Sequence, residues 1–278
     1  WLDIPLDVQA AEIDLETLSG YVPEPVAAQG GLLQQSVAQT LQALARAERP
    51  IILVGNGVRL AGAEQAFVEL AEAMGVPVLT TRLGVDLFPY AHELHVGMPG
   101  MIASRAANFA LQNSDCLLVL GARLDMALIA YAPDRLARGA YKIMVNIDSA
   151  EIEKLGAVID LGVTADVGEF IDALRYTAGQ SIAQLLRPEW RARCQEWKAR
   201  YPFVQPVHRG GEEISIYAFS DALSEVLTGS DVVLPGSSGV ACEIFLSAFK
   251  AKAGQRIFHN KGTGAMGFGQ PAALGACL

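Results

Sequence analysis

The segment Ile51-Ile52-Leu53-Val54-Gly55-Asn56-Gly57 joins a short, continuous apolar run to a glycine-rich turn. A run of this length without polar alternation is typical of a strand that is covered on both faces, as in a parallel sheet. The two glycines predict a tight turn where the strand ends. We therefore interpret the segment as one strand of a parallel sheet.

Apolar strands alternate with amphipathic helices on both sides of this segment. Helices are predicted over 34–47, 63–74, 102–112 and 166–176, and further strands over 76–80, 115–120, 142–147 and 158–163. The alternation predicts an α/β fold, a doubly wound, Rossmann-like parallel sheet of about six strands. A second, shorter α/β unit follows, with predicted helices over 217–227 and 241–249 and strands over 231–234 and 256–259.

Changes in composition predict the domain boundaries. Pro23 and the pair Gly30-Gly31 mark one linker. Trp190 and Trp197 lie in an arginine-rich stretch that predicts a basic helix packed between domains. The expected segments are 1–20, 21–180, 181–211 and 212–278.

The two ends of the sequence suggest a piece of a longer protein. Residues 1–5 predict a strand that runs into a turn, whereas Pro271 opens a helical segment that reaches Leu278 without a C-cap signal. We therefore expect the chain to begin near the end of one domain and to stop early in another.

Composition narrows the class of protein. Of the 278 residues 51% are apolar, and the net charge is −9, so the chain can form large cores and nucleic acid or an anionic membrane is a disfavoured partner. No apolar run approaches the roughly 18 residues of a membrane span. The four cysteines are far apart, which predicts reduced core thiols in a cytoplasmic protein. They are Cys116, Cys194, Cys242 and Cys277.

Polar and glycine residues at the strand ends are candidates for a nucleotide cleft. A standard NAD fingerprint is disfavoured, because Leu60 stands where its last glycine belongs and no acidic residue ends the second strand. A less specific nucleotide cleft is the remaining interpretation, in which Arg123 could hold a pyrophosphate and Asp148 could accept a hydrogen bond from a ribose hydroxyl. The alternative is a set of ordinary strand-end turns. The candidate residues are Gly97, Met98, Gly121, Ala122, Arg123 and Asp148.

Two further motifs combine residues that often bind metals or phosphates. His92 and His95 are three residues apart, but a metal pair needs a third ligand, so loop histidines are favoured. Ser237 and Ser238 follow a predicted strand at Gly236 without the pattern of a nucleophile elbow. Their hydroxyl and backbone N–H groups would suit a diphosphate.

The stretch Gly262-Thr263-Gly264-Ala265-Met266-Gly267-Phe268-Gly269-Gln270-Pro271-Ala272-Ala273 is the most specific motif. Its glycines allow a backbone to run close to a ligand, and a helix N-terminus offers free N–H groups. A tight turn between core elements is the alternative reading. The string resembles the signature of thiamine-diphosphate enzymes of the acetolactate synthase superfamily, because Met266 and Pro271-Ala272-Ala273 fall at the spacing of that family.

The resemblance extends over essentially the whole chain. Residues 1–9 resemble the last strand of the family's pyrimidine-binding domain, 30–178 its central domain, and 212–278 the opening of its diphosphate-binding domain. It implies a thiamine-diphosphate- and Mg²⁺-dependent 2-oxo acid decarboxylase or carboligase that forms a homodimer or homotetramer. In the family, the backbone at Gly264 and Met266 holds the aminopyrimidine, and the Met side chain bends the cofactor into the shape in which it deprotonates itself. The implied cofactor residues are Gly236, Ser237, Ser238, Gly264 and Met266.

The sequence also departs from the family pattern. The activating Glu and the Mg²⁺ motif are expected outside this chain, so the chain alone is predicted to be inactive. Arg123-Leu124-Asp125-Met126-Ala127 replaces the longer Arg-Phe-Asp-Asp-Arg string of flavin-binding members. The sequence therefore does not decide whether FAD binds. Ser237-Ser238-Gly239-Val240 replaces Gln-His-Gln, which points to another acceptor substrate. Two alternatives stay open: a non-catalytic nucleotide-binding regulatory module and a structural dimerisation unit.

Overall fold

The computed structural model describes residues 4–14, 16–20, 30–179, 185–236 and 239–278. The chain divides into two compact units, residues 1–30 and 31–278. In the first unit Ile4 and Pro5 are irregular and one helical turn, α1 (Leu6–Gln9), follows. The predicted strand is therefore wrong for residues 4 and 5, because proline cannot donate to a ladder and suits a helix start. Residues 1–3 lie outside the described ranges.

The second unit is built on a six-stranded parallel sheet in the order β3-β2-β1-β4-β5-β6. This confirms the predicted doubly wound α/β architecture. Strand β3 was not predicted, since three residues followed by Pro99 and Gly100 give too short a pattern. The strands are β1 (Pro50–Val54), β2 (Val78–Thr80), β3 (His95–Gly97), β4 (Cys116–Leu120), β5 (Tyr141–Asn146) and β6 (Leu161–Thr164).

Helices cover both faces of this sheet. Three of them begin at side chains that cap the helix N-terminus: Ser104, Asp148 and Asp166 accept hydrogen bonds from backbone N–H groups of the first turn. The helices are α2 (Gly30–Arg46), α3 (Gly57–Leu60), α4 (Glu64–Met74), α5 (Arg105–Asn113), α6 (Ser149–Glu153), α7 (Val167–Ala178) and α8 (Pro188–Arg200).

The alternation of β1 side chains shows how the two cores form. Ile52 and Val54 pack with α2, α4 and α7, whereas Ile51 and Leu53 pack with α5 and α8. Trp190 of α8 is buried in the second core and donates through Nε1 to the Pro50 carbonyl at 2.9 Å. The predicted linker helix is thus part of the helical layer on the central sheet.

A smaller α/β unit follows within the same compact body. Its strands pair in parallel and are shorter than predicted, with two residues each. Phe245 of its second helix and Phe249 just after that helix pack in one core with Val85 and Met98 from the part of the body that contains the central sheet. The elements are α9 (Ile216–Val226), β7 (Val232–Val233), α10 (Val240–Ala248), β8 (Arg256–Ile257) and α11 (Gly269–Cys277). None of the helices in the described ranges is both long and apolar enough to cross a bilayer.

Candidate functional site

The sheet order reverses beside β1, and two strand-end turns touch at this point. Gly55 N–H donates to the Leu120 carbonyl and Gly57 N–H to the Gly121 carbonyl, each at 2.9 Å. A Cβ on Gly55 would lie 2.3 Å from the Gly121 oxygen, and one on Gly57 would lie 2.7 Å from the Gly121 Cα. Only glycine permits this approach. The contact opens a crevice at the carboxyl ends of the strands, where α/β sheets bind ligands.

A cleft of about 470 Å³ occupies this crevice. The candidates Gly121, Ala122 and Arg123 line it, with Asn56 and Arg82 beside them. Asn56 Oδ1 and Arg82 Nε are buried and have no hydrogen-bond partner within the described residues. Unpaired buried polar atoms are costly, so a polar ligand in the cleft would satisfy them. Sequence reasoning missed both residues, although Arg82 lies two positions after the end of β2.

Arg123 and Asp148 differ in their relation to the cleft. The Arg123 guanidinium is 75% exposed and bonds the Glu151 carboxylate, with Nε 2.8 Å from Oε1. This hydrogen bond raises the pKa of Arg123, so the charge is permanent. Asp148 caps α6 through Oδ1 and is not among the residues that line the cleft. Lys154 also pairs with Glu151, so Arg123 can turn to a phosphate without leaving this carboxylate unpaired.

Gly97 and Met98 do not join this cleft. Met98 is buried against α10, and both residues line a separate cavity between the central sheet and the smaller unit. The predicted candidates therefore do not share one site: two line this cavity, three line the cleft, and Asp148 lines neither. Only Gly121, Ala122 and Arg123 share the cleft at the switch point.

The glycine-rich loop lies between β8 and α11. Gly264 and Gly267 have φ of +61° and +78°, which explains glycine at both positions. Met266 is 96% exposed, so it is not a core residue of this chain. A Cβ on Gly262 or Gly269 would meet no atom within 4 Å. Packing inside the chain therefore does not require glycine at these two positions. Ser237 and Ser238 lie outside the described residues, beside Gly236.

A depression of about 680 Å³ connects this loop with the cleft. It is lined by Arg82 and Arg123, which also line the cleft, and by Lys261 and Gly262 at the start of the loop. Arg82 and Lys261 both pair with Glu243 of α10. Burial lowers the pKa of Lys261, and neighbouring Arg82 lowers it further. The lining holds more basic than acidic side chains, which favours an anionic ligand that runs from the cleft toward the loop.

Asp86 joins the central part to β8. Its side chain is fully buried, and Oδ1 accepts from Arg59 at 2.8 Å. Oδ2 accepts from Arg256 and from the Ile257 N–H, both at 2.8 Å. Since Arg59 lies on α3 next to the cleft, one carboxylate fixes the cleft wall and the strand that leads to the glycine loop. The sequence showed only a lone acidic residue here.

The surroundings of His92, His95 and the cysteines do not form a metal site within the described residues. His92 bonds Glu72, and His95 is buried. No group of three potential metal-ligating side chains occurs in the part of the chain that the structure describes. Cys116, Cys194 and Cys242 are buried as predicted, and burial raises the pKa of Cys116 and Cys194 to about 12. Cys277 is exposed, which corrects its assignment to the core.

Comparison with known proteins identifies the family. The family model described as the thiamine pyrophosphate enzyme central domain matches residues 37–174. The central domain of this chain belongs to the thiamine pyrophosphate enzymes. That range contains the switch-point cleft and all six strands of the sheet.

Relatives of this chain are named acetolactate synthases. The chain is 33% identical to a probable acetolactate synthase large subunit of Methanocaldococcus jannaschii, over 99% of this chain and 47% of that protein. It is 34% identical to the acetolactate synthase large subunit of Corynebacterium glutamicum, over 99% and 44%. It is 30% identical to acetolactate synthase isozyme 1 large subunit of Escherichia coli, over 100% and 47%. The chain spans about half the length of these relatives.

Proposed function

We propose that this chain works as part of a thiamine-diphosphate- and Mg²⁺-dependent enzyme that decarboxylates a 2-oxo acid or joins it to a second carbonyl compound. The family of the central domain and the relatives named acetolactate synthase support the cofactor and the reaction class. The glycine-rich loop supports the assignment within this chain, because its residues are those of a ligand-facing turn.

The exposure of Met266 is the observation that carries the proposal. An apolar side chain that is 96% exposed at the tip of a glycine-rich turn has no packing role in this chain. An unbranched thioether is suited to fill an irregular gap beside a ring. Open space around Gly262 and Gly269 allows a bound molecule to approach the backbone. The loop thus fits thiamine diphosphate.

Five residues have proposed roles in binding the cofactor. Thiamine diphosphate, when bound, supplies a carbanion equivalent and an electron sink for the 2-oxo acid. The backbone at Gly264 and Met266 would bind the aminopyrimidine, while the Met266 side chain would wedge beneath it and set its orientation. Gly236, Ser237 and Ser238 would hold the diphosphate. Met266 is a catalytic residue in the sense that it touches the cofactor.

The central cleft is proposed as a nucleotide site, with FAD as the candidate. Asn56 and Arg82 offer unpaired polar atoms, and Arg123 offers an exposed guanidinium for a pyrophosphate. Gly121 and Ala122 form the floor, and Asp148 lies nearby at the start of α6. The depression toward Gly262 gives an extended ligand a path to the loop. Gly97 and Met98 belong to this proposal only if the ligand reaches the neighbouring cavity.

The remaining parts of the proposal concern the whole enzyme. We propose a homodimer or homotetramer in the cytoplasm that acts on a small 2-oxo acid, with the activating Glu and the Mg²⁺ ligands in segments outside residues 1–278. The chain alone should then release no CO₂ from pyruvate when thiamine diphosphate and Mg²⁺ are added. The relatives are named as enzymes, which does not favour a purely regulatory or structural module.

Substitution of Met266 tests the proposal in the whole enzyme. Met266→Ala should slow hydrogen–deuterium exchange at C2 of the bound cofactor roughly a hundredfold, because positioning is lost. Met266→Leu keeps the volume and should retain most of the rate. Met101→Ala, another exposed methionine, is the control. The exchange rate is measured per folded molecule. An unchanged rate in Met266→Ala would reject the assignment of Met266.

A further inference from the structure

A cavity of about 150 Å³ lies apart from the cleft and the loop. Its walls are the ends of β2 and β3, helix α8, and parts of α9 and α10. An apolar cavity of about this size holds benzene, so the space suits a ligand of about six heavy atoms. The cavity is thus built by both the central part and the smaller unit.

Lys198 brings a positive charge to this cavity without a counter-ion. Its ammonium lies 2.6 Å from the Tyr90 carbonyl and 2.8 Å from the His95 carbonyl. No carboxylate lies within ion-pair distance of it among the described residues. Burial lowers its pKa to about 8. A partly buried cation whose neighbours carry no negative charge gains free energy when an anion comes close.

The neighbouring polar groups are hydrogen-bond donors. Burial first, and then Lys198 and His92, lower the pKa of His95 to about 3, so the ring is neutral. Its Nδ1 lies 3.4 Å from the Lys198 ammonium, which assigns the ring proton to Nε2. The Thr80 hydroxyl is buried, lines the cavity and has no partner in the described part of the chain. Both groups can donate to a ligand oxygen.

Two further cations add to the positive charge of Lys198. Arg209 and Lys250 line the cavity and share the buried carboxylate of Asp221. The Tyr90 ring lies near both lysines, with its centre 4.3 Å from the Lys198 ammonium and 6.0 Å from that of Lys250. Three cations and one carboxylate leave a net charge of +2 around the cavity. A small anion would balance this charge.

We propose that this cavity is a binding site for a small oxyanion, either phosphate or a carboxylate of about six heavy atoms. The Thr80 hydroxyl and His95 Nε2 would donate to its oxygens, while Lys198 and Lys250 supply the charge. The site does not depend on the proposed function, because it shares no lining residue with the cleft or the glycine-rich loop. Because the central sheet and the smaller α/β unit both contribute to the walls, a bound anion would stabilise the packing between them.

Calorimetric titration of the purified chain tests the site, with inorganic phosphate and with pyruvate as separate probes at constant ionic strength set by sodium chloride. At least one probe should bind saturably and raise the unfolding temperature. Saturation by phosphate alone or by pyruvate alone identifies the source of the oxyanion. Absence of saturable binding by both would overturn the proposal.

Variants of the lining residues make the test specific. Thr80→Val removes an unpartnered hydroxyl at nearly constant volume, so it should fold normally yet weaken oxyanion binding about tenfold. Lys250→Gln should weaken binding by a similar factor and serves if Thr80→Val does not fold. Arg193→Gln, on α8 but outside the cavity, removes the same charge and should bind like the parent chain. Equal affinity in parent, Thr80→Val and Lys250→Gln would reject the site.

Discussion

Glycines at the switch point and glycines in the loop serve opposite purposes. At Gly55, Gly57 and Gly121 an added Cβ would come within 3 Å of backbone atoms, so these glycines allow two turns of the chain to touch. At Gly262 and Gly269 an added Cβ would meet nothing within 4 Å. The first group is explained by packing inside the chain. The second group has no such reason, which is why we assign it to a ligand.

The largest effect is expected at Gly121. Its φ is +58° and an added Cβ would lie 2.8 Å from the Val58 nitrogen, so Gly121→Ala combines an unfavourable backbone conformation with a clash. We expect a loss of about 3 to 4 kcal/mol in the free energy of unfolding, measured by urea denaturation. Gly156→Ala is the control, since φ is +50° in open space, and should cost only about 1 kcal/mol. Equal losses in the two variants would show that the contact is unimportant.

Asp86→Asn tests whether the two regions are held together by one carboxylate. Removal of its charge leaves Arg59 and Arg256 without their shared partner, which should cost about 3 kcal/mol in the free energy of unfolding. Limited proteolysis should then cut the segment after β8 faster than in the parent chain. Asp172→Asn, in an exposed pair, should change neither measurement. Unchanged proteolysis in Asp86→Asn would mean that other contacts hold the strand.

Gly262→Ala sharpens the comparison from the side of the loop. Because the site is open, the free energy of unfolding should change by less than about 0.5 kcal/mol. In the whole enzyme the added methyl group should weaken thiamine diphosphate binding about tenfold, because the backbone can no longer come as close to the cofactor. Gly210→Ala, also in open space, should leave binding unchanged. Normal cofactor affinity in Gly262→Ala would remove the reason for glycine at this position.

The smallest effect on stability is expected at Arg123. The guanidinium is 75% exposed and Glu151 keeps its pair with Lys154, so Arg123→Ala should change the free energy of unfolding by less than about 0.5 kcal/mol. In the whole enzyme the variant should lose bound flavin and keep thiamine diphosphate, as followed by the visible absorption spectrum. Arg138→Ala removes the same charge elsewhere on the surface and is the control. A parent enzyme that purifies colourless and ignores added FAD would reject flavin as the ligand.

The local sequence pattern was sufficient to predict most strands of the sheet. Continuous apolar runs located β1, β4 and β5, and side-chain caps such as Asp166 located helix starts. The three-residue strand β3 was not predicted from the sequence, because its pairing with β2 depends on the neighbouring strand rather than on its own residues. Ile4 and Pro5 were assigned to a strand from apolar character, but the proline favours the helical turn that follows.

By itself the sequence determined the alternation of strands and helices, the turn glycines and the glycine-rich loop, because these depend on residues that are close together in the chain. Only the tertiary structure decided which distant residues meet. It separated Met98 from Arg123, joined Asp86 to Arg256, and placed Lys198 beside Thr80. Such contacts depend on strand order and helix packing, and spacing along the chain carries no information about either.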